Sequence, residues 1–342
     1  MFDPSALKKI KNLLEQKSGV AILTHTNPDG DAIGSSLALG IYLRKAGMEV
    51  SVIIPNEVPD FLKWMPGCEM VIVNKHFPEK AEEALTRAGL VFCLDFNDPE
   101  RIKGAGAALQ RSEALKVLID HHEGPKSFTD ITVSDTSRGS TGELIYLAMG
   151  ELLGYEMLDH DIATCLYVAI MTDTGNFRYS SSYPEIFHIT GELMKYDINK
   201  ELIFSKVYDN YSVHRMRLMG YCISEKMVVH QEYRTAYISI TQEELKHFNY
   251  QIGDTEGFVN LPFAIAGIRF TLLFIEKRDH VKISLRSKGN FQVNHFAEKH
   301  FNGGGHRNAA GGETALPLSD AVKQLEELLP LYQQELEDSF EG

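Results

Sequence analysis

Short apolar runs punctuate the first third of the chain, at residues 20–23, 50–54, 70–73, 90–94 and 117–119. Between several of them apolar positions recur at helical spacing, over residues 32–45, which end at Gly47, and 78–88, which end at Gly89. Strands that are apolar on both sides and alternate with helices predict a parallel sheet covered on both faces. Ahead of the first run, residues 1–16 place Leu7, Ile10, Leu13 and Leu14 on one side of an amphipathic helix, with Asp3 as its N-cap, Pro4 in its first turn and Gly19 as its stop. From about residue 139 to 221 helical periodicity takes over, and Ser182 is expected to cap a helix opening with Pro184 and Glu185. Strands return at residues 226–230, 235–240, 269–275 and 281–285, and helices are expected over 292–300 and 319–329, the last broken at Pro330.

A chain of 342 residues exceeds what one small core organises. The predicted architecture is α/β: an N-terminal parallel-sheet domain over residues 1–197 with helices on both faces, a helical linker over 198–224, and a smaller C-terminal α+β domain over 225–342. Exposed faces of the helical stretch are expected to support a homodimer.

Composition narrows the class. No apolar run approaches the roughly 18 residues needed to span a bilayer, so no membrane partner is expected. Cys68, Cys93, Cys165 and Cys222 are widely spaced without metal-knuckle or redox spacing, which reads as buried free thiols in a reducing cytoplasm. The net charge of −13 disfavours a long grip on duplex DNA, which needs many phosphate contacts. Residues 265–310 run against that balance, with eight Lys/Arg against three acids and four histidines besides. A basic segment in an acidic protein suits a small anionic ligand.

Acids and imidazoles collect at the ends of the apolar runs. His25, Asp29 and Asp31 follow the first, Asp95 follows residues 90–94, Asp120-His121-His122 follow residues 117–119, and Asp173 ends the apolar helical run 165–171. Asn27-Pro28 and Asp29-Gly30 are turn dipeptides that stop the first strand before the next helix. In a parallel sheet the first three groups reach one edge, the carboxyl end where ligands bind. Any one of them alone reads more simply as a turn former or helix cap, but unpaired buried charge is costly and the pattern occurs several times over. Oxygen donors with a few imidazoles and no thiolate suit Mn²⁺ or Mg²⁺ better than structural Zn²⁺. Two such ions about 3.5–4 Å apart can hold both oxygens of a phosphoryl displacement, and Asp95 is the candidate bridge.

The stretch from His25 to Ser35, the isolated Asp95, Asp120-His121-His122 and Asp173-Thr174-Gly175 resemble the four motifs of the DHH phosphoesterase superfamily. The stretch from Asn302 to Gly311 resembles the glycine-rich signature of its DHHA1 domain, with Asn302 where the family often has another glycine. The layout is most similar to the nanoRNase and pAp-phosphatase subfamily, also labelled exopolyphosphatase-related. The resemblance implies that His25, Asp29 and Asp95 hold one Mn²⁺ and that Asp31, Asp95, His121 and Asp173 hold the other, with Mg²⁺ or Co²⁺ as substitutes. It also implies that His122 faces the scissile phosphate and that Asp120 orients an imidazole.

Gly303-Gly304-Gly305 lets the backbone approach a ligand and turn several N–H groups toward an anion, with His306 and Asn308 completing the cradle. Arg286 and Ser287 at the end of the 281–285 run are expected to contact substrate, Arg286 as a planar fork for a phosphate or base. Arg178, near Asp173, is a further candidate phosphate contact. Phe291 and Phe296 are read as core. The expected activity is two-metal hydrolysis of short oligonucleotides, linear dinucleotides or 3′-phosphoadenosine 5′-phosphate (pAp). Its rivals are a cyclic-dinucleotide phosphodiesterase, an exopolyphosphatase and a non-catalytic nucleotide-binding module.

Overall fold

Aliphatic and β-branched residues fill the strands that the apolar runs predict, and the computed structural model, described for residues 1–209 and 211–339, arranges them in two compact units, Met1–Asn210 and Tyr211–Gly342. The first unit runs α1 (Pro4–Glu15), β1 (Gly19–Leu23), α2 (Gly30–Lys45), β2 (Val50–Ile54), β3 (Val71–Val73), α3 (Pro78–Arg87), β4 (Ala88–Leu94), α4 (Gly106–Arg111), β5 (Leu115–Asp120) and β6 (Ile131–Ser134). Four helices follow: α5 (Thr141–Leu152), α6 (His160–Asp173), α7 (Pro184–Leu193) and α8 (Lys200–Tyr208).

The six strands form one parallel sheet in the order β3-β2-β1-β4-β5-β6. Alternate side chains go to opposite faces, as the strand period of two requires. Leu90, Phe92 and Leu94 of β4 pack into the core built with α1, α2, α5 and α6, whereas Val91 and Cys93 pack with Ala81 and Leu85 of α3 and Leu109 of α4. Helices therefore cover both faces. The strand order reverses between β1 and β4, and a doubly wound sheet opens its binding crevice at that reversal, outside the carboxyl ends.

Glycines bring the helices close. A Cβ on Gly34 of α2 would lie 2.5 Å from the Cys165 carbonyl oxygen of α6, and one on Gly142 of α5 would lie 2.6 Å from Cβ of Ala169. Asp3 caps α1 as expected, accepting from the N–H groups of Ser5 and Ala6, and Gly47 follows α2 at φ 86°. Three expected boundaries differ. Gly19 opens β1 instead of stopping α1, because Lys17 takes the left-handed position at φ 51°. Gly89 lies within β4, where a Cβ would come 2.8 Å from Cβ of Ser18, so close approach and not helix termination requires it. Ser182 does not cap α7: Tyr183 is the N-cap residue and its side chain makes no capping hydrogen bond to the helix.

The second unit contains α9 (Val213–Tyr221), β7 (Met227–His230), β8 (Thr235–Ile240), α10 (Gln242–His247), β9 (Phe270–Glu276), β10 (Val281–Ser287), α11 (Val293–His300), β11 (Gly304–His306), β12 (Ala309–Thr314), α12 (Leu318–Leu328) and α13 (Gln333–Asp338). Its sheet runs β11-β12-β10-β9-β8-β7 and is mixed, with β8 and β9 parallel and the other pairs antiparallel. Phe291 and Phe296 are buried in the core beneath α11 and α12. No helix among the described residues is long and apolar enough to cross a membrane.

Candidate metal centre

The loop after β1 is tied by three hydrogen bonds to two partners before it reaches α2. Thr26 N–H donates to the Arg101 carbonyl at 2.7 Å, Asn27 N–H donates to Asn56 Oδ1 at 2.6 Å, and the Asn56 amide returns a bond to Asn27 Oδ1 at 2.9 Å. Asn27 sits left-handed at φ 55°, a conformation that asparagine tolerates better than most residues. Asp29 then caps α2, accepting from the N–H groups of Asp31 and Ala32.

Asp95, directly after β4, is also left-handed, at φ 63°, and its N–H continues the strand pairing to the Ile119 carbonyl at 3.2 Å. A non-glycine residue held there costs free energy and persists only where its surroundings over-determine it. Here the surroundings are three imidazoles and a hydroxyl: His25 Nε2 at 3.3 Å, His122 Nδ1 at 3.6 Å, His121 Nε2 at 3.7 Å and Thr141 Oγ1, which donates at 3.1 Å.

Donor atoms gather into three overlapping groups, each within 4.8 Å: His25, Asp29 and Asp95; Asp31, His121 and Asp173; and Asp95, His121 and His122. Residues from the ends of β1, β4, β5 and α6 thus meet at one rim. The imidazole tautomers explain what that rim wants. A carbonyl oxygen can only accept, so His25 Nδ1, 3.0 Å from the Thr26 carbonyl, carries its proton, and so does His121 Nδ1, 3.2 Å from the Arg138 carbonyl. The Nε2 of each ring then points at a carboxylate, Asp95 Oδ2 at 3.3 Å and Asp173 Oδ2 at 3.1 Å. His25 Nε2 is buried and lacks a hydrogen bond in proper geometry. Positive charge belongs between each nitrogen and its carboxylate, a ring proton or a shared cation in its place, and an oxygen-rich set with imidazoles fits a divalent one.

Charge at the rim is finely divided. Burial pushes Asp95 up, but the His25 contact and the three imidazoles outweigh it and bring its carboxyl down to about 2. Burial pushes the Asp31 carboxyl well above the usual range, with Asp95 and Asp173 adding to it. Asp173 is pushed up to about 7 by burial and by Asp95, against the pull of His121. Burial lowers His25, and the adjacent Asp95 carboxylate raises it by more.

His122 Nδ1 donates to Asp120 Oδ1 at 2.7 Å, and Asp120 is completely buried at the end of β5. Arg178 is exposed, with its guanidinium over Tyr179 at 5.4 Å. The role of α5 was not expected from the sequence. Thr141 and Gly142 donate backbone N–H groups to Asp31, and Glu143 is buried beside them. Ser140-Thr141-Gly142-Glu143 carries the capping-box spacing that could have flagged it.

In the second unit the glycine run does not form a curled loop. Gly304–His306 is the edge strand β11, hairpinned onto β12 through Arg307 and Asn308. Packing demands two of the glycines: a Cβ on Gly303 would sit 2.1 Å from the Gly311 carbonyl oxygen, and Gly305, at φ 140°, would sit 2.7 Å from that of Ala309. Gly304 has no such neighbour. Asn302 is left-handed at φ 44°, which accounts for asparagine at a position suited to glycine. Arg286 and Ser287 lie within β10. Arg286 Nη1 donates to the Leu285 carbonyl, while Ser287 Oγ donates to the Phe291 carbonyl and accepts from Asn308 Nδ2. Ser287 and Asn308 thereby brace the 287–291 turn. His306 is exposed.

Carboxylates and imidazoles at the switch point of a parallel sheet, with no thiolate among these donors, are a donor set for divalent metal ions, and the family to which the chain belongs makes it a phosphoester hydrolase. The chain belongs to the DHH family: residues 19–170 match the model described as DHH family, N-terminal domain, and residues 234–338 match the DHHA1 domain. It is 29% identical, over 93% of this chain and 92% of the relative, to a Thermus thermophilus protein named bifunctional oligoribonuclease and PAP phosphatase NrnA. A Bacillus subtilis protein of the same name is 28% identical, over 84% of this chain and 86% of its own. The solved structure of an exopolyphosphatase-related protein from Bacteroides fragilis is 40% identical and superposes with a TM-score of 0.95, over 98% of this chain and 99% of that one.

Proposed function

We propose that this protein hydrolyses short oligonucleotides, down to linear dinucleotides, and the 3′-phosphate of pAp. The observation that carries the reading is the convergence of His25, Asp29, Asp31, Asp95, His121 and Asp173 into overlapping donor groups, with Nε2 of His25 and of His121 each turned to a carboxylate at 3.3 and 3.1 Å. His25, Asp29 and Asp95 would hold one ion, and Asp31, Asp95, His121 and Asp173 the other, with Mn²⁺ the best match and Mg²⁺ or Co²⁺ able to replace it. Such a pair lowers the pKa of a bound water and neutralises phosphoryl oxygens.

The chain's own groups do the rest. Asp95, low in pKa and in contact with three imidazoles, stays ionised as the common ligand. His122, with its Nδ1 fixed by Asp120, is assigned to the phosphoryl oxygens, where a positioned donor stabilises developing charge. Arg286, Gly304 and His306 are assigned to the substrate's remaining anionic or base groups, with Gly303, Gly305, Ser287 and Asn308 holding the strand and turn that carry them. Arg178 is a further candidate contact.

The likeness to an exopolyphosphatase-related protein, at 40% identity, favours one alternative, polyphosphate as substrate. A product-resolved assay decides between them, using Mn²⁺-loaded protein on pAp, di- to pentanucleotides, cyclic dinucleotides and polyphosphate. Mononucleotides from the dinucleotide and inorganic phosphate from pAp support the proposal. Turnover of polyphosphate alone, or full turnover by D95A, refutes it.

A further inference from the structure

Glu143 is completely buried, and its Oε2 has no hydrogen-bond partner among the described residues. A carboxylate in that position needs a reason, because desolvating it is costly. Helix capping does not supply one. In a capping box the acid at the third helical position reaches back to the N–H of the cap residue, which here is Ser140. Glu143 passes that group and takes the next one: Gly139 N–H donates to its Oε1 at 2.9 Å. Tyr183, from the start of α7, joins the same point, donating its hydroxyl hydrogen to Glu143 Oε1 at 2.6 Å while its oxygen lies 2.7 Å from Gly139 N.

The other end of that peptide unit is the Arg138 carbonyl, which accepts the Nδ1 proton of His121 at 3.2 Å. One amide group therefore links Glu143 to His121. Its N–H is held by a carboxylate and a phenol, and its oxygen holds an imidazole. Hydrogen bonds in such a chain polarise one another, so an acid at the N–H end makes the carbonyl a better acceptor. The backbone is shaped to admit it. A Cβ at Gly139 would fall 2.4 Å from the Ser180 carbonyl oxygen and 3.2 Å from Glu143 Oε1. Only glycine lets the amide lie between those two groups.

We propose that Glu143 is the positioning residue for His121, acting through the Arg138–Gly139 peptide, with Tyr183 locking the carboxylate in place. A histidine ligand ordinarily gives its second N–H to a carboxylate or a carbonyl that fixes the ring. In this protein the two are in series, and the peptide transmits the acid's hold to a ring whose Nε2 lies 3.1 Å from Asp173 Oδ2 and 3.9 Å from Asp31 Oδ2. The inference rests on the reading of His121 as a metal ligand.

Co²⁺ alone is the probe, titrated into full-length protein and followed by calorimetry and by its visible absorption. E143Q keeps shape and hydrogen-bond acceptance but removes the charge. It should weaken the ion that His121 binds by about tenfold, within the range for such supporting groups, and shift the Co²⁺ spectrum at saturation. Y183F should move both in the same direction by a smaller factor, and it carries the test if E143Q does not fold. In an H121A background neither substitution should weaken Co²⁺ further, because the ring they position is gone. An equal loss in that background marks a general structural role and overturns the inference, as does unchanged affinity and spectrum in both variants while the wild type binds Co²⁺. Failure of the wild type itself to bind overturns the metal reading as well.

Discussion

Asp31 is embraced by the first turn of α5: Thr141 N–H donates to its Oδ2 at 2.6 Å and Gly142 N–H donates to its Oδ1 at 2.8 Å. The positive end of a helix offsets part of the cost of burying this carboxylate. Each oxygen spends one acceptor site on α5 and keeps the other for a cation. The grip depends on how closely α5 approaches. Gly142→Ala would bring a methyl within 2.6 Å of Cβ of Ala169 in the completely buried heart of α6. Overpacking of this kind costs about 1–3 kcal/mol. Because α5 must retreat from Asp31 as well, Mn²⁺ affinity should fall together with the urea midpoint. Lost stability with unchanged Mn²⁺ affinity would show that the two contacts are independent.

Asp120 holds His122 by one strong bond from inside the sheet, at 2.7 Å. Asp120→Asn leaves an acceptor of the same shape but removes the charge that fixes the proton on Nδ1. The expected result is a 10- to 100-fold loss of kcat, about the range for other supporting carboxylates, with KM nearly unchanged. A rise in KM at constant kcat would place His122 in ground-state binding.

Residues whose side chains end at the candidate metal rim were legible as a group in the sequence, because each follows an apolar run and cannot be explained as core. His25, Asp95 and His121 are of this kind. Strand order followed less directly, since parallel pairing is legible but the reversal between β1 and β4 is set by packing at a distance. Thr141, Gly142 and Arg138 were not legible for a different reason: they reach the site largely or wholly through backbone atoms, whose direction no residue type announces. The glycine run misled for a related reason. Gly303 and Gly305 read as freedom to meet a ligand, yet β12 occupies that space. Ser287 and Asn308 looked like donors for substrate, and the 287–291 turn uses them.

Four carboxylates, Asp29, Asp31, Asp95 and Asp173, share the rim with the Nε2 atoms of His25 and His121. A cation bound only by the folded chain stabilises it by mass action, about 2.7 kcal/mol when the free ion is a hundredfold above its dissociation constant. Mn²⁺ should therefore raise the melting temperature by several degrees, EDTA should reverse the rise, and D31N or D95N should abolish most of it. An equal rise in those variants would locate the stabilising ion elsewhere.

Far along the chain, Glu244 ties three elements of the second unit. Its Oε1 lies 2.8 Å from Lys226 Nζ and accepts from the Tyr221 hydroxyl at 2.7 Å, and its Oε2 accepts from Thr241 N–H at 2.8 Å, completing a capping box for α10. Burial works against the charge, but Lys226 and these hydrogen bonds bring the carboxyl from 4.5 down to about 2. A carboxyl lowered in the folded state binds its proton less readily than in the unfolded chain, so its stabilisation is complete above the unfolded value and lost as pH falls toward the folded one. Allowing for partial exposure, the contribution is about 2 kcal/mol at neutral pH. Glu244→Gln should lower stability at pH 7 by about that amount and flatten its dependence between roughly pH 4.5 and 2. Denaturant unfolding of wild type and variant across that range is the measurement, and parallel pH profiles would assign the acid sensitivity of the fold to other groups.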